Sequence, residues 1–232
     1  MRTEQHPLAA SVPQAEAAGL YDELAKHYDI WAALTESKAR KRALRLAAIK
    51  DGQHVLEVAV GTGLAFLQVV RSNPAGRNVG VDISRGMLAK AEKRLRDAGC
   101  TNFELSIGSA FDIREEADSF DVVLNSYMFD LIAEQDWRKI LGEFHRVLKP
   151  DGRLVLVNMT IGERFGSGLY ERIYTHAPRL MGGCRGVRLS RALEENGFVV
   201  KSRRYVQQLL FPSEVLLGFR SDARPGAAQA PA

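Results

Sequence analysis

The stretch His54 to Gly63, HVLEVAVGTG, constrains the fold of this chain more than any other. Val55, Leu56, Val58 and Val60 make a nearly continuous run of β-branched or bulky side chains, the pattern of a parallel strand covered on both faces. Glu57 interrupts the run, and Gly61 and Gly63 end it. Glycines there let the backbone come close to a ligand, which a Cβ would prevent. A helix opening near Gly63 points its free N–H groups at the same place. The expectation is a buried strand, a tight turn and a helix, with a ligand at the turn.

Spacing separates the ligands that such a turn takes. A dinucleotide-binding turn reads G-x-G-x-x-G/A, and from Gly61 the closing position is Phe66, too large for the close packing that glycine serves. An acidic residue, one spacer, then small-x-Gly-x-Gly fits Glu57-Val58-Ala59-Val60-Gly61-Thr62-Gly63. Here the sequence resembles the class I S-adenosylmethionine-dependent methyltransferases, whose first strand and loop read hh(D/E)hGxGxG. The resemblance implies S-adenosyl-L-methionine as cofactor, held by Glu57, Ala59, Gly61 and Gly63. Ala59 stands where the family usually has glycine. If that position needs a positive φ, alanine costs about 1 kcal/mol, and a locally adjusted loop is expected.

Further landmarks follow in the family's order. A second strand, Asn78 to Asp82, ends in a carboxylate that by resemblance accepts the ribose hydroxyls; the alternative is a helix cap shared with Ser84. After a third strand, Asn102 to Ile107, the segment GSAFD resembles the family's adenine-edge loop, which assigns Ser109 and Ala110 to the cofactor. The strand Phe120 to Asn125 ends at Asn125, where the acceptor side begins and which the resemblance assigns to the cofactor, and FHRVLKPDGRLVLVNM, Phe144 to Met159, reads as helix end, turn and fifth strand. Strands alternating with helices imply a doubly wound α/β sheet. By resemblance it is a Rossmann-like sheet of seven mostly parallel strands with the last antiparallel. Gly197 to Gln208 and Glu214 to Arg220 are the closing strands, joined through Phe211-Pro212.

At 232 residues, 46% of them hydrophobic, one core suffices, and residues 19–220 are expected to form one domain. Residues 1–18 and 221–232 lack apolar periodicity and read as disordered tails. A net charge of +4 from 32 basic and 28 acidic residues is no nucleic-acid signature. Asn125-Ser126-Tyr127 lacks the prolines of the N-P-P-Y found in amine methyltransferases of bases. Two cysteines give neither a disulfide framework nor metal-ligand spacing, so a reduced cytoplasm is the default.

The acceptor side is assembled from three places. A helix from Gly19 to Trp31 resembles the helix that covers the pocket in small-molecule methyltransferases, making Tyr21 and Tyr28 lid residues or simply core. Asp130 sits in an apolar run and either pairs with a structural cation or faces the acceptor, with Tyr127 beside it. The segment Thr160 to Arg191 mixes Tyr174 and His176 with Arg185 and Arg188, which suits an anionic acceptor with an apolar part, or else forms a solvent-facing hairpin. In the catalytic reading Asp130, Tyr127 and Tyr21 act on the acceptor while Tyr28, Tyr174, His176, Arg185 and Arg188 bind it. The helix Ser37 to Ile49 is basic and amphipathic, a solvated face or a peripheral contact with the inner face of a membrane.

The pattern is most similar to the quinone-biosynthesis and phosphatidylethanolamine N-methyltransferase group, implying N- or O-methylation of a small lipid-like or quinone-like acceptor. The alternatives are an S-adenosylmethionine-binding module without catalysis and an NAD(P)-dependent oxidoreductase.

Overall fold

Alternating side chains divide each central strand between two cores. In β1 (His54–Val58) Val55 enters one cluster and Leu56 the other; in β4 (Phe120–Ser126) Val122 and Leu124 join Val55 while Val123 joins Leu56. β5 (Leu148–Met159) splits the same way, Leu154 and Leu156 against Val155 and Val157. Apolar residues on both faces of a period-two strand are what a doubly covered parallel sheet requires.

The computed structural model describes residues 28–163, 185–209 and 211–221. One core is roofed by α5 (Glu134–Val147), whose Trp137, Ile140, Leu141, Phe144 and Val147 recur at helical spacing, and by Leu193 of α6 (Ser190–Glu195). Phe129 stands edge-on to Trp137 and Phe144 at 6.2 and 6.0 Å there. The other core lies under α2 (Ser37–Ala47), α3 (Phe66–Ser72) and α4 (Arg85–Asp97).

With β2 (Arg77–Asp82), β3 (Glu104–Ile107), β6 (Phe198–Gln208) and β7 (Phe211–Arg220), the sheet runs β3-β2-β1-β4-β5-β7-β6. Strands β1 to β5 pair in parallel and β7 is antiparallel to both its neighbours. This is the seven-stranded sheet with an antiparallel last strand that the resemblance implied. Strand order reverses between β1 and β4, and ligands of such sheets lie in the crevice at the carboxyl ends there.

Several boundaries differ from the sequence reading. The basic helix ends at Ala47 rather than Ile49, because Ala48 turns left-handed and the Arg153 guanidinium takes the carbonyls of Ala47 and Ala48. The described part of the N-terminal helix, α1 (Tyr28–Thr35), runs past Trp31 to Thr35. The turn expected within Phe144 to Met159 lies inside β5 as a register shift, with pairing passing from Phe120 and Leu148 to Val122 and Arg153. Phe211-Pro212 is strand, not connection: Gln207 pairs with Pro212, whose carbonyl accepts the Thr160 N–H at 2.9 Å.

Candidate functional site at the carboxyl ends of β1, β2 and β4

The glycine turn is held by the strand beside it. Val60 N–H donates to the Val81 carbonyl and Gly63 N–H to the Val60 carbonyl, each at 3.1 Å. Ala59, Gly61 and Gly63 take φ of 57°, 56° and 77°, so the position occupied by alanine does need the left-handed conformation. A Cβ built on Gly61 would meet nothing within 4 Å, whereas one on Gly63 would lie 3.0 Å from the Ala91 Cβ of α4. Gly61 therefore borders open space. Gly63, expected to admit a ligand, instead lets α4 approach.

Phe66 opens α3 and is fully buried. The packing that a third glycine would supply is moved into β2, where a Cβ on Gly80 would come 3.3 Å from the Phe66 ring and 2.7 Å from Leu105.

Asp82 ends β2 with its carboxylate under the turn. Its Oδ2 accepts the Gly61 N–H at 2.8 Å and its Oδ1 accepts the Ser84 N–H at 2.9 Å, while the Ser84 hydroxyl caps α4 by accepting the Met87 N–H. Glu57 is buried beside it. Burial pushes the Glu57 carboxyl up from 4.5 to about 8, the nearby Arg40 opposing and Asp82 adding to the rise. Asn125, at the end of β4, donates from Nδ2 to the Val58 carbonyl at 2.8 Å. Glu57 Oε2 and Asn125 Oδ1 are buried acceptors without a hydrogen-bond partner. Ser109 is half-buried and uses its hydroxyl to accept the Phe111 N–H at 3.2 Å; Ala110 next to it is buried.

These features fit S-adenosylmethionine. Its amino group, ribose hydroxyls and adenine amine are donors that match the orphaned acceptors of Glu57 and Asn125 and the carboxylate of Asp82, and the face of Gly61 is open.

On the acceptor side several of the expected residues are buried and bonded within the chain. Tyr127 is buried with φ 53°, and its hydroxyl bonds the Ser213 hydroxyl at 3.0 Å. Burial first, and the charge of Glu36 next, hold its phenol well above the ordinary value, so it stays protonated and is no base. Asp130 is fully buried; its Oδ2 accepts the Met159 N–H at 3.2 Å and its carbonyl accepts the Arg185 N–H at 3.2 Å. Through Oδ2 it ties the β4 loop to the end of β5. Arg185, expected to reach a head group, is likewise buried, giving Nη2 to the Ile132 carbonyl and stacking over Trp137 at 5.9 Å. Arg188 is more than half exposed and lies 3.9 Å from Glu163. Tyr21, Tyr174 and His176 lie outside the described residues, as does the side chain of Tyr28.

Two features went unrecognised in the sequence. The Thr62 hydroxyl donates to Asp29 of α1 at 2.6 Å, Arg94 of α4 gives Nε to the Thr62 carbonyl at 2.8 Å, and Arg94 also pairs with Asp29. This triad latches α1 to the glycine turn, and nothing in the local sequence marks it. Arg40, on the helix whose basic residues were expected to face outward or a membrane, turns inward toward Glu57 and, at 3.8 Å, Glu36. Helical phase could have placed it, since Glu36, Arg40, Ala43 and Ala47 share one stripe.

Residues 55–152 match a protein family described as a methyltransferase domain. The chain is 26% identical over 216 residues to a demethylmenaquinone methyltransferase of Lactobacillus johnsonii, covering 82% of this chain and 88% of that protein. A second demethylmenaquinone methyltransferase, from Bacillus subtilis, is 29% identical over 153 residues, 64% of this chain, and the match spans only 65% of that relative's length. Among solved structures, the fold superposes on the cyclase SpnF with a TM-score of 0.74 at 16% identity, over 94% of this chain and 99% of that one. In its strand order, its acidic residues Glu57 late in β1 and Asp82 at the end of β2, and its glycine turn, the chain has the fold of the class I S-adenosylmethionine-dependent methyltransferases and is similar to a methyltransferase domain over residues 55–152.

Proposed function

We propose that the protein is an S-adenosylmethionine-dependent methyltransferase of a small lipid-like or quinone-like acceptor, by N- or O-methylation. The observation that carries the reading is Asp82: a buried carboxylate at the end of β2 that grips the glycine turn through Gly61 N–H and lies where a ribose would be held. When bound, S-adenosylmethionine supplies a methyl group on a sulfonium. The chain's own residues supply position. Asp82 and the Gly61 edge hold the nucleoside, Ser109 and Ala110 border the base, and Glu57 and Asn125 offer buried acceptors to the amino acid end. The Asp29–Thr62–Arg94 latch holds α1 on the turn. Tyr127 stays a neutral phenol that orients, and Asp130 positions rather than abstracts a proton.

The acceptor class rests on the demethylmenaquinone methyltransferases among the relatives. Arg188, with one long contact to Glu163, is the described cation best placed to meet an acidic head group. A second reading, a cofactor-binding module without methyl transfer, is favoured by the inward turn of Asp130, the carboxylate expected to serve the acceptor, whose Oδ2 accepts the Met159 N–H. Transfer of tritiated methyl from S-adenosylmethionine into a total lipid extract is the test. Labelled lipid supports methyl transfer. Binding of S-adenosylmethionine in titration calorimetry without any labelled product supports the module, and binding of NADH instead would overturn both.

A further inference from the structure

The two most exposed large hydrophobic side chains in the described residues are Leu34, at 55%, and Leu209, at 65%. They are far apart in sequence but joined in space by Gln208. Its Nε2 donates to the Leu34 carbonyl at 2.7 Å, and its Oε1 accepts the Lys38 N–H at 2.7 Å, which seats the β6 end on the start of α2. Leu209 holds a φ of 53°, a conformation that glycine or asparagine would adopt with less strain. A leucine kept there and exposed costs the fold twice, in strain and in wetted apolar surface.

Next to this tip runs a basic surface. Lys38, Lys41, Arg42 and Arg45 of α2 are exposed, and among the described residues none of them has an ion-pair partner. Between α2 and α3 lies a groove of about 670 Å³ lined by the exposed Lys41 and Arg45 and the half-buried Leu44, Ile49 and Leu64. Cations beside apolar side chains suit an anionic amphiphile. β6 is antiparallel to β7, which is antiparallel to β5, so Gln208 lies at the same, carboxyl end of the parallel strands as the glycine turn. No described helix is long and apolar enough to cross a membrane.

We infer that this face docks on an anionic phospholipid bilayer, Leu34 and Leu209 entering the interface and Lys38, Lys41, Arg42 and Arg45 meeting lipid phosphates. The charge complementarity of Lys38, Lys41, Arg42 and Arg45 beside an exposed leucine pair selects a lipid surface over a soluble anion, which would use the cations and leave the leucines wet. Docking stands whether or not the acceptor is a lipid, because vesicle binding needs neither cofactor nor acceptor.

The experiment is sedimentation of the full-length chain with vesicles of phosphatidylcholine, with and without a minority of phosphatidylglycerol. It is done at low salt and at salt that shortens the Debye length to about 3 Å. Low salt should favour the anionic vesicles at least tenfold, and high salt should remove most of that preference. Each cation at the surface contributes about fivefold, so K41E/R45E should lower anionic partition by about 25-fold or more. L34S/L209S should lower partition into both vesicles by at least tenfold. All four positions are exposed, so folding is checked simply by circular dichroism. Equal partition into neutral and anionic vesicles, wild-type binding by either double variant, or displacement by soluble glycerophosphoglycerol would each overturn the assignment.

Discussion

Ala59 and Gly61, two residues apart in the glycine turn, hold the same left-handed φ, 57° and 56°, and only one of them is a glycine. For an L-residue with a Cβ that conformation costs about 1 to 2 kcal/mol, offset in part by the lower entropy of alanine in the unfolded chain. Ala59→Gly should therefore raise stability by about 0.5 to 1 kcal/mol, read as a higher midpoint of urea denaturation. A lower midpoint would mean that the methyl group packs against something worth more than the strain.

Asp82 serves both the turn and, in the proposed reading, the nucleoside. Asp82→Ala removes the acceptor of two backbone N–H groups, at Gly61 and Ser84, each charge-assisted bond being worth about 1.5 to 3 kcal/mol. Affinity for S-adenosylmethionine should fall at least tenfold in calorimetry, together with a loss of thermal stability. A folded Asp82→Ala protein that binds with unchanged affinity would sink the cofactor assignment.

Glu57 gives the site a pH signature. In the native protein its carboxyl titrates at about 8 and in the unfolded chain at the ordinary 4.5, so between those values the unfolded state releases a proton that the native state keeps. Stability is then fully retained below 4.5, falls by up to about 1.4 kcal/mol per pH unit as pH rises, and levels off beyond about 8. Glu57→Gln should remove this contribution and gain on the wild type across that window. A cationic ligand beside Glu57 would displace the proton, so S-adenosylmethionine should bind more tightly as pH rises, with proton release seen by titration in buffers of different ionisation enthalpy. Parallel pH–stability curves for wild type and variant would contradict a buried, protonated Glu57.

The latch on α1 predicts local rather than global loosening. Asp29 and Arg94 are partly exposed, so their ion pair adds little to overall stability, about 1 kcal/mol or less. Asp29→Ala should leave the melting midpoint within about 3 °C of wild type, yet speed hydrogen exchange in the backbone of residues 28–35 several-fold. Unchanged exchange would show that α1 is held by its packing alone.

What the sequence made legible follows from how local each cause is. The strand runs of β1, β2 and β4 and the turn after Val58 depend on side chains within a few residues of one another, and these appear where the pattern puts them. Even the cost of alanine at position 59 could be read in advance, because it needs only φ. Pro212 misled for a similar reason: it reads as a break, but the sheet uses its carbonyl and not the N–H it lacks. Asp130 and Arg185 could not be oriented, because whether a carboxylate or guanidinium in an apolar stretch faces a pocket or a neighbouring strand is decided by partners such as Met159 and Ile132, well removed in sequence. The latch was invisible on the same grounds, Asp29 and Arg94 being 65 residues apart.

Two arginines close together in the chain should therefore behave in opposite ways. Arg185 is buried, supplies the Ile132 carbonyl with a charged donor and stacks over Trp137, so Arg185→Ala leaves that carbonyl without the donor and removes the stacking, at a cost of about 2 to 4 kcal/mol. For a chain of this size that lowers the melting midpoint by about 5 to 15 °C, while the KM of the molecules still folded stays near wild type. Arg188 is exposed with a single contact of 3.9 Å, and Arg188→Ala should change stability by no more than about 0.5 kcal/mol. If the acceptor carries an acidic group, the Arg188 variant should instead raise the acceptor KM at unchanged cofactor affinity. Differential scanning calorimetry and steady-state kinetics on the two variants separate the roles. An Arg185→Ala protein with wild-type melting and a raised KM would return that arginine from the core to the acceptor pocket.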